Sequence, residues 1–141
     1  MIQIAEAAPG PDRDACIDIR RHVFVGEQNV PEAEEVDGLD PECLHLLARD
    51  GGRPAGTLRL RESGDTVKIQ RVAVLPEWRG TGLGAQLMRH AMELARARGM
   101  RKARLGAQIH ALGFYEKLGF VAEGPEFLDA GIPHREMTRP L

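Results

Sequence analysis

Residues 78 to 85 read Trp78-Arg79-Gly80-Thr81-Gly82-Leu83-Gly84-Ala85, with glycine at every second position directly before a long helical pattern. Downstream, Leu83, Leu87, Met88, Ala91, Met92, Leu94 and Ala95 recur at helical spacing, and Arg96, Arg98 and Gly99 close the pattern as a C-terminal cap does. Upstream, Val72-Ala73-Val74 predicts a strand that runs through Leu75-Pro76-Glu77 into the glycines. The first amides of a helix placed there have no partner within it and carry the positive end of its dipole. Glycines let the backbone take positive φ and admit a phosphate without meeting a β-carbon, and Arg79 adds a guanidinium with several donors. The stretch is expected to be an anion cradle rather than a turn alone.

Spacing separates the kinds of phosphate loop. A nucleotide-hydrolysing loop needs a Gly-Lys-Ser/Thr ending, and no lysine occurs in this one. A dinucleotide loop wants G-x-G-x-x-G after the first strand of a βαβ unit, whereas here Gly84 follows Gly82 one residue too soon. It also follows a run of strands. Leu44 to Ala48 is a compact buried strand, Gly56 to Arg61 alternates, and Val67 to Val74 is a third, with turns at Gly51-Gly52 and Gly64-Asp65 between them. Those three form an antiparallel meander.

The rest of the chain fits around that centre. Residues 2–7 predict an opening strand, ended by Pro9-Gly10-Pro11, and a first helix runs from Asp12 to about Gln28 on the apolar set Cys16, Ile19 and Val23. Residues 102–109 predict a strand and residues 111–118 a short helix ending at Gly119; Phe120-Val121-Ala122 and the tail around Arg135 to Thr138 are the last strand candidates. The order is β-α-βββ-α-β-α-β, an α/β (α+β) fold in a single domain spanning residues 1–141.

Composition narrows the function. The net charge is -2 and charged residues are 28% of the chain, which is no basis for a nucleic-acid partner. No apolar run approaches membrane-helix length and the N-terminus lacks a leader pattern, so a cytoplasmic protein without a membrane partner is expected. Cys16 and Cys43 form no metal-type cluster and are expected to be reduced structural thiols; no metal site is expected. Between Glu27 and Glu42 lie seven carboxylates and no basic residue. This segment is expected to be a solvated acidic loop, with Glu34 and Glu35 facing solvent, or a rim that attracts a cationic amine.

Arg79, Gly82 and Gly84 match the Q/R-x-x-G-x-G/A signature of the GNAT superfamily of N-acetyltransferases. A second stretch, Gln108-Ile109-His110-Ala111-Leu112-Gly113-Phe114-Tyr115-Glu116-Lys117-Leu118-Gly119-Phe120, resembles that family's N-x-x-A-x-x-x-Y-E-K-x-G-F segment, with glutamine in place of asparagine. The run from Val23 to Glu32, Glu34 to Asp40, His45 to Ala48 and the late Gly131-Ile132-Pro133-His134 are similar to the YjcF/ElaA-like branch. The resemblance implies a GNAT fold, a mixed, mostly antiparallel sheet with helices on both faces, splayed after Val72 to Val74. It implies acetyl-CoA as co-substrate, transfer of acetyl to a primary amine of a small molecule, and a homodimer, common in the superfamily. The other class of reading is a non-catalytic acyl-CoA-binding or sensing module.

On that resemblance, Val72, Ala73 and Val74 hold the pantetheine arm, while Arg79, Gly80, Thr81, Gly82, Leu83, Gly84 and Ala85 cradle the pyrophosphate. Gln108, Tyr115 and Lys117 complete the coenzyme contacts, and Thr81 and Leu83 are the positions that tolerate substitution. Tyr115, the one tyrosine of the chain, stands where the family's proton donor to the leaving thiolate stands. Its phenol is a chemically apt donor. His45, His110 and His134 are the candidate bases, with His134 favoured by its place after Gly131-Ile132-Pro133. Glu27, Gln28 and His110 are candidate acceptor-site groups. His22 and His90 are expected to be solvated, and Trp78 to pack the loop against the sheet.

Overall fold

The computed structural model describes all 141 residues. Strand β1 (Ile2–Glu6) leads to α1 (Pro11–Arg20), whose start combines Gly10 at φ +118°, proline in the first turn, and Asp12 and Asp14 against the helix dipole. The predicted first helix does continue toward Gln28, but as a π-helical turn over Arg21–Glu27, and a one-turn helix α2 (Glu32–Glu35) follows. The meander is β2 (Leu44–Asp50), β3 (Arg53–Ser63) and β4 (Thr66–Val74). Helix α3 (Leu83–Ala97), strand β5 (Lys102–Gln108) and the short α4 (Leu112–Glu116) come next.

The end of the chain carries one strand more than the expected order, and both of the last strand candidates form and run longer than their sequence patterns. It is a hairpin of two long strands, β6 (Val121–Asp129) and β7 (Ile132–Pro140). Gly124 and Pro125 interrupt the alternation of β6, and the pairing slips in register between Glu123 and Phe127, the kind of irregularity at which an edge strand accepts proline. The seven strands form one sheet in the order β1-β2-β3-β4-β5-β7-β6.

Alternate residues of the central strands face opposite layers. Leu46, Leu58, Leu60, Val67 and Ile69 pack against α3, whose Leu83, Leu87, Met88, Ala91, Met92 and Ala95 are all buried. Each buried leucine or methionine there contributes about 1.5–3 kcal/mol. On the other face Leu47, Ala73 and Ala7 meet Cys16 and Ile19 of α1 and Val23 of the π-helical turn. Both cysteines are free and buried. Leu83, expected to tolerate substitution, is 2% exposed and belongs to the α3 core.

All neighbours are antiparallel except β4 and β5, which run parallel and pair only over Thr66–Lys68 and Lys102–Arg104. Beyond those residues the two strands part. β4 continues to Val74 paired with β3 on one side alone, so its other edge borders a cleft. No helix is long and apolar enough to cross a membrane.

Candidate active site

The glycine loop lies at one end of the cleft. Gly80 and Gly82 have φ of +77° and +87°, and a β-carbon added at either meets nothing within 4 Å, so both face open space. Gly82 caps α3 without a side-chain hydrogen bond, and the first amide of the loop-helix junction to find a carbonyl is that of Gln86, on Gly82. The amides of Leu83, Gly84 and Ala85 are left free at the positive end of a 15-residue helix. Gly84 has another reason: its β-carbon would lie 3.3 Å from the ring of Phe114. Thr81 hydroxyl donates to the Trp78 carbonyl at 2.5 Å, and Trp78 Nε1 donates to Asp50 at 2.9 Å, which pins the loop to the end of β2.

Arg79 does not project freely. Its Nε donates to the Val74 carbonyl at 3.0 Å, and its outer nitrogen pairs with the Glu27 carboxylate at the end of the π-helical turn. Glu27, a candidate acceptor-site group from sequence, therefore stands at the loop and not in the cavity described next.

At the other end the cleft widens into a cavity of about 350 Å³ walled by Phe24, Val72, Tyr115, Phe127, Ile132 and His134. Tyr115, in α4, is buried between the edges of Phe114 (centroids 4.9 Å apart) and Phe120 (6.1 Å). Its hydroxyl has no protein partner, and burial pushes its pKa up to about 12. The phenol stays protonated throughout the neutral range.

His134, in β7 opposite Gln108 of β5, stacks on Phe127 at 5.7 Å. Its Nδ1–H donates to the Ile132 carbonyl at 2.6 Å. That bond sets the tautomer, leaving Nε2 as the acceptor of the neutral ring.

Gln108 bridges the cleft. Its Nε2 donates to Gln28 Oε1 at 2.8 Å, and its Oε1 accepts from His110 Nε2 at 2.7 Å. All three line the cavity, which brings the candidate acceptor-site groups Gln28 and His110 together, and the Gln108 amide is engaged with them. Lys117 caps α4 on the surface, outside the cavity. Val72 lines the cavity, Ala73 is buried toward α1, and Val74 packs near Gly84. Of the other histidines, His45 is buried, donates Nε2–H to the Asp40 carbonyl at 2.9 Å, and is held below its ordinary pKa by burial. It lies outside the cavity, which removes it as a base.

The acidic segment is solvated only in part: Glu32, Glu34 and Glu42 are exposed, whereas Glu35, expected to face solvent, turns inward. Glu35 and Asp40 are buried, at 1% and 8% exposure, and both bind Arg20, at 2.7 and 2.8 Å. Arg59 in β3 donates to Asp37 Oδ2 at 2.6 Å and to Asp40 at 2.9 Å, and Arg71 in β4 reaches Glu35 and Asp37. Three carboxylates thus offset three arginines inside the fold. The guanidiniums hold Asp37 and Asp40 below the ordinary carboxylate range. The visible signal in the sequence was a set of arginines, at 20, 59 and 71, interrupting apolar strand and helix positions, but their partners lie far away along the chain.

A parallel pair that parts to leave one strand edge bare, a helix start with free amides at one end of the cleft and a buried phenol at the other define a coenzyme-dependent acyltransferase domain. The model of the acetyltransferase (GNAT) domain matches residues 12–141, and the chain belongs to this family as an N-acetyltransferase. It falls in the branch that includes YjcF and ElaA. It is 41% identical over 122 residues to YjcF of Bacillus subtilis, an uncharacterized N-acetyltransferase, covering 86% of this chain and 87% of that one. The crystal structure of ElaA from Escherichia coli superposes with a TM-score of 0.88 at 30% identity, covering 99% of each chain. An acyl-CoA N-acyltransferase from Pseudomonas aeruginosa does so with a TM-score of 0.85 at 35% identity, covering 99% of this chain and 98% of that one.

Proposed function

We propose that this chain transfers the acetyl group of acetyl-CoA to a primary amine of a small molecule by direct attack. The observation that carries the reading is the cleft between β4 and β5, which joins the free amides of α3 to the cavity holding the unpartnered Tyr115 hydroxyl. The amides of Leu83, Gly84 and Ala85, with Arg79, suit a pyrophosphate, and the open space over Gly80 and Gly82 admits it. The bare edge of β4 from Val72 to Val74 suits the amides of a pantetheine arm, which pair with it as an added strand does. Acetyl-CoA supplies an activated acyl group as a thioester.

The protein's own groups then handle protons. The acceptor must attack as the neutral amine, and His134 Nε2 is placed to take the proton that the nitrogen sheds as the new C–N bond forms. As the C–S bond breaks, the electron pair goes to sulfur and Tyr115 donates to it. A phenol raised to about 12 is a weaker acid than a thiol near about 8.5, so Tyr115 serves chiefly as a hydrogen-bond donor. A proton it gives up is restored from the histidine side of the cavity.

Within the 27–42 segment Glu35, Asp37 and Asp40 are satisfied by arginines of the fold, so the carboxylate it offers a cationic acceptor at the cavity wall is that of the exposed Glu34. The cavity wall sets Phe24, Phe127 and Ile132 beside the carboxylates of Glu34, Asp129 and Glu136, which suits an amine carried on a partly apolar body. Calorimetric titration with acetyl-CoA, followed by thiol release over a broad panel of amines, tests the reading. Binding followed by amine-dependent thiol release is expected. Failure to bind acetyl-CoA overturns it.

A further inference from the structure

Arg71 holds a backbone conformation that its residue type disfavours. Its φ is +56°, in the left-handed region that glycine enters freely and a long side chain rarely does. The pairing of β3 with β4 shows why a turn of the chain is needed there. Thr57 faces Ala73 and Arg59 faces Gln70, so Arg71 and Val72 together oppose Leu58. This is a bulge, and a bulge whose first residue is left-handed ordinarily carries glycine. It lies directly before Val72 to Val74, the bare edge of β4.

The side chain at this position reaches into the acceptor wall. Its Nη2 donates to the carbonyls of Glu34 at 3.3 Å and Glu35 at 3.2 Å and lies 3.3 Å from Asp37 Oδ2, while Nε lies 3.3 Å from Glu35 Oε1. Glu34, Glu35 and Arg71 line the same cavity as Tyr115 and His134. Glu35 keeps Arg20, and Asp37 keeps Arg59, when Arg71 is set aside, so neither carboxylate depends on Arg71 for neutralisation. What Arg71 alone does is join the 32–37 segment to the bulge.

Resting on the acetyl-transfer reading above, we propose that Arg71 is a positioning residue: its guanidinium fixes the acceptor wall formed by residues 32–37 against the β4 bulge that sets the reacting edge. The strained backbone persists because a glycine there would open the bulge equally well but leave the wall, still held by Arg20 and Arg59, without its tie to the bulge.

The test uses Arg71→Gly, which accepts the left-handed backbone without strain, together with Arg71→Lys. Amide hydrogen exchange is followed at Glu34, Glu35 and Val36, whose amides bond within the turn that begins at Pro31. In the folded glycine variant these amides are expected to exchange at least about tenfold faster, and kcat/KM for the amine to fall by about tenfold to a hundredfold, with coenzyme A affinity held within about twofold. The lysine variant recovers part of both losses. Unchanged exchange at the three amides overturns the proposal, as does a loss confined to coenzyme affinity. If the wild-type protein acetylates no amine, the acetyl-transfer reading fails, and the exchange measurement still decides whether Arg71 holds the wall.

Discussion

Arg79 is tied to Glu27 across the mouth of the cleft, joining the glycine loop to the end of the π-helical turn. The guanidinium that suits a phosphate is thus occupied by a carboxylate of the same chain. An exposed pair of this kind is worth about 0.2–1 kcal/mol. Releasing Arg79 with Glu27→Gln should tighten coenzyme A binding by up to about fivefold at low salt, and Arg79→Ala should weaken it; calorimetry at two salt concentrations reads both. Weaker binding by the glutamine variant would show that Glu27 supports the loop instead of competing for it.

The glycines of the loop should separate into two kinds. Gly82, at φ +87° with open space around it, is expected to lose coenzyme binding as Gly82→Val while the protein remains folded, at a backbone cost of about 1–3 kcal/mol. Gly84→Val acts by a different route, because its side chain must displace Phe114 from 3.3 Å. Thermal unfolding with and without coenzyme A distinguishes them: both variants should lose the shift that the ligand produces, and Gly84→Val should in addition lower the midpoint without ligand through its contact with Phe114. A retained shift in Gly82→Val would return the loop to the status of a turn.

Tyr115→Phe removes a hydroxyl without a protein partner, so folding stability should hardly change. Turnover at saturating acetyl-CoA is expected to fall by about 10²- to 10³-fold, the scale for loss of one stabilising hydrogen-bond donor, with coenzyme affinity unaltered. Because burial holds the phenol at about 12, ionisation of Tyr115 should not limit turnover on the alkaline side below about pH 11. An alkaline loss near pH 10 that disappears in the phenylalanine variant would contradict the buried, protonated phenol.

The arginine–carboxylate network should make the protein acid-labile. Asp37 and Asp40 have folded pKa values below their unfolded ones, so their contribution is fully present above about pH 4 and is lost as pH falls below it. On acidification the unfolded chain binds protons first, and stability drops by about 1.4 kcal/mol per pH unit for each proton taken up. Urea unfolding between pH 3 and 7 measures the slope, which Asp37→Asn should reduce. A slope that is the same in wild type and variant would sink the assignment.

Arg20, 1% exposed and bound to both Glu35 and Asp40, is the centre of that network. Removing one partner of a buried pair typically costs about 3–5 kcal/mol, and Arg20→Ala should lose stability on that scale by urea unfolding. A loss below about 1 kcal/mol would place these charges in a far wetter setting than their burial indicates.

Local patterns determined much of this protein. The stripe from Leu83 to Ala95, the glycines at 80 and 82 and the alternation through the meander were legible because helix amphipathicity, positive φ and strand pleat are properties of near neighbours along the chain. They sufficed for the family fold and for the placement of the loop before α3. Three matters were decided only in three dimensions. β6 escaped recognition as a full strand because Gly124 and Pro125 break its alternation, and its pairing with β7 carries it across the break. The acidic segment read as solvated because Arg20, Arg59 and Arg71 approach it from other elements, and only folding removes water from between them. Likewise the tautomer of His134 follows from the Ile132 carbonyl, and the attachments of Arg79 and Gln108 from Glu27 and Gln28. Short-range preference specifies which elements form; the distance-dependent terms, charge pairing and desolvation, are set only when those elements meet.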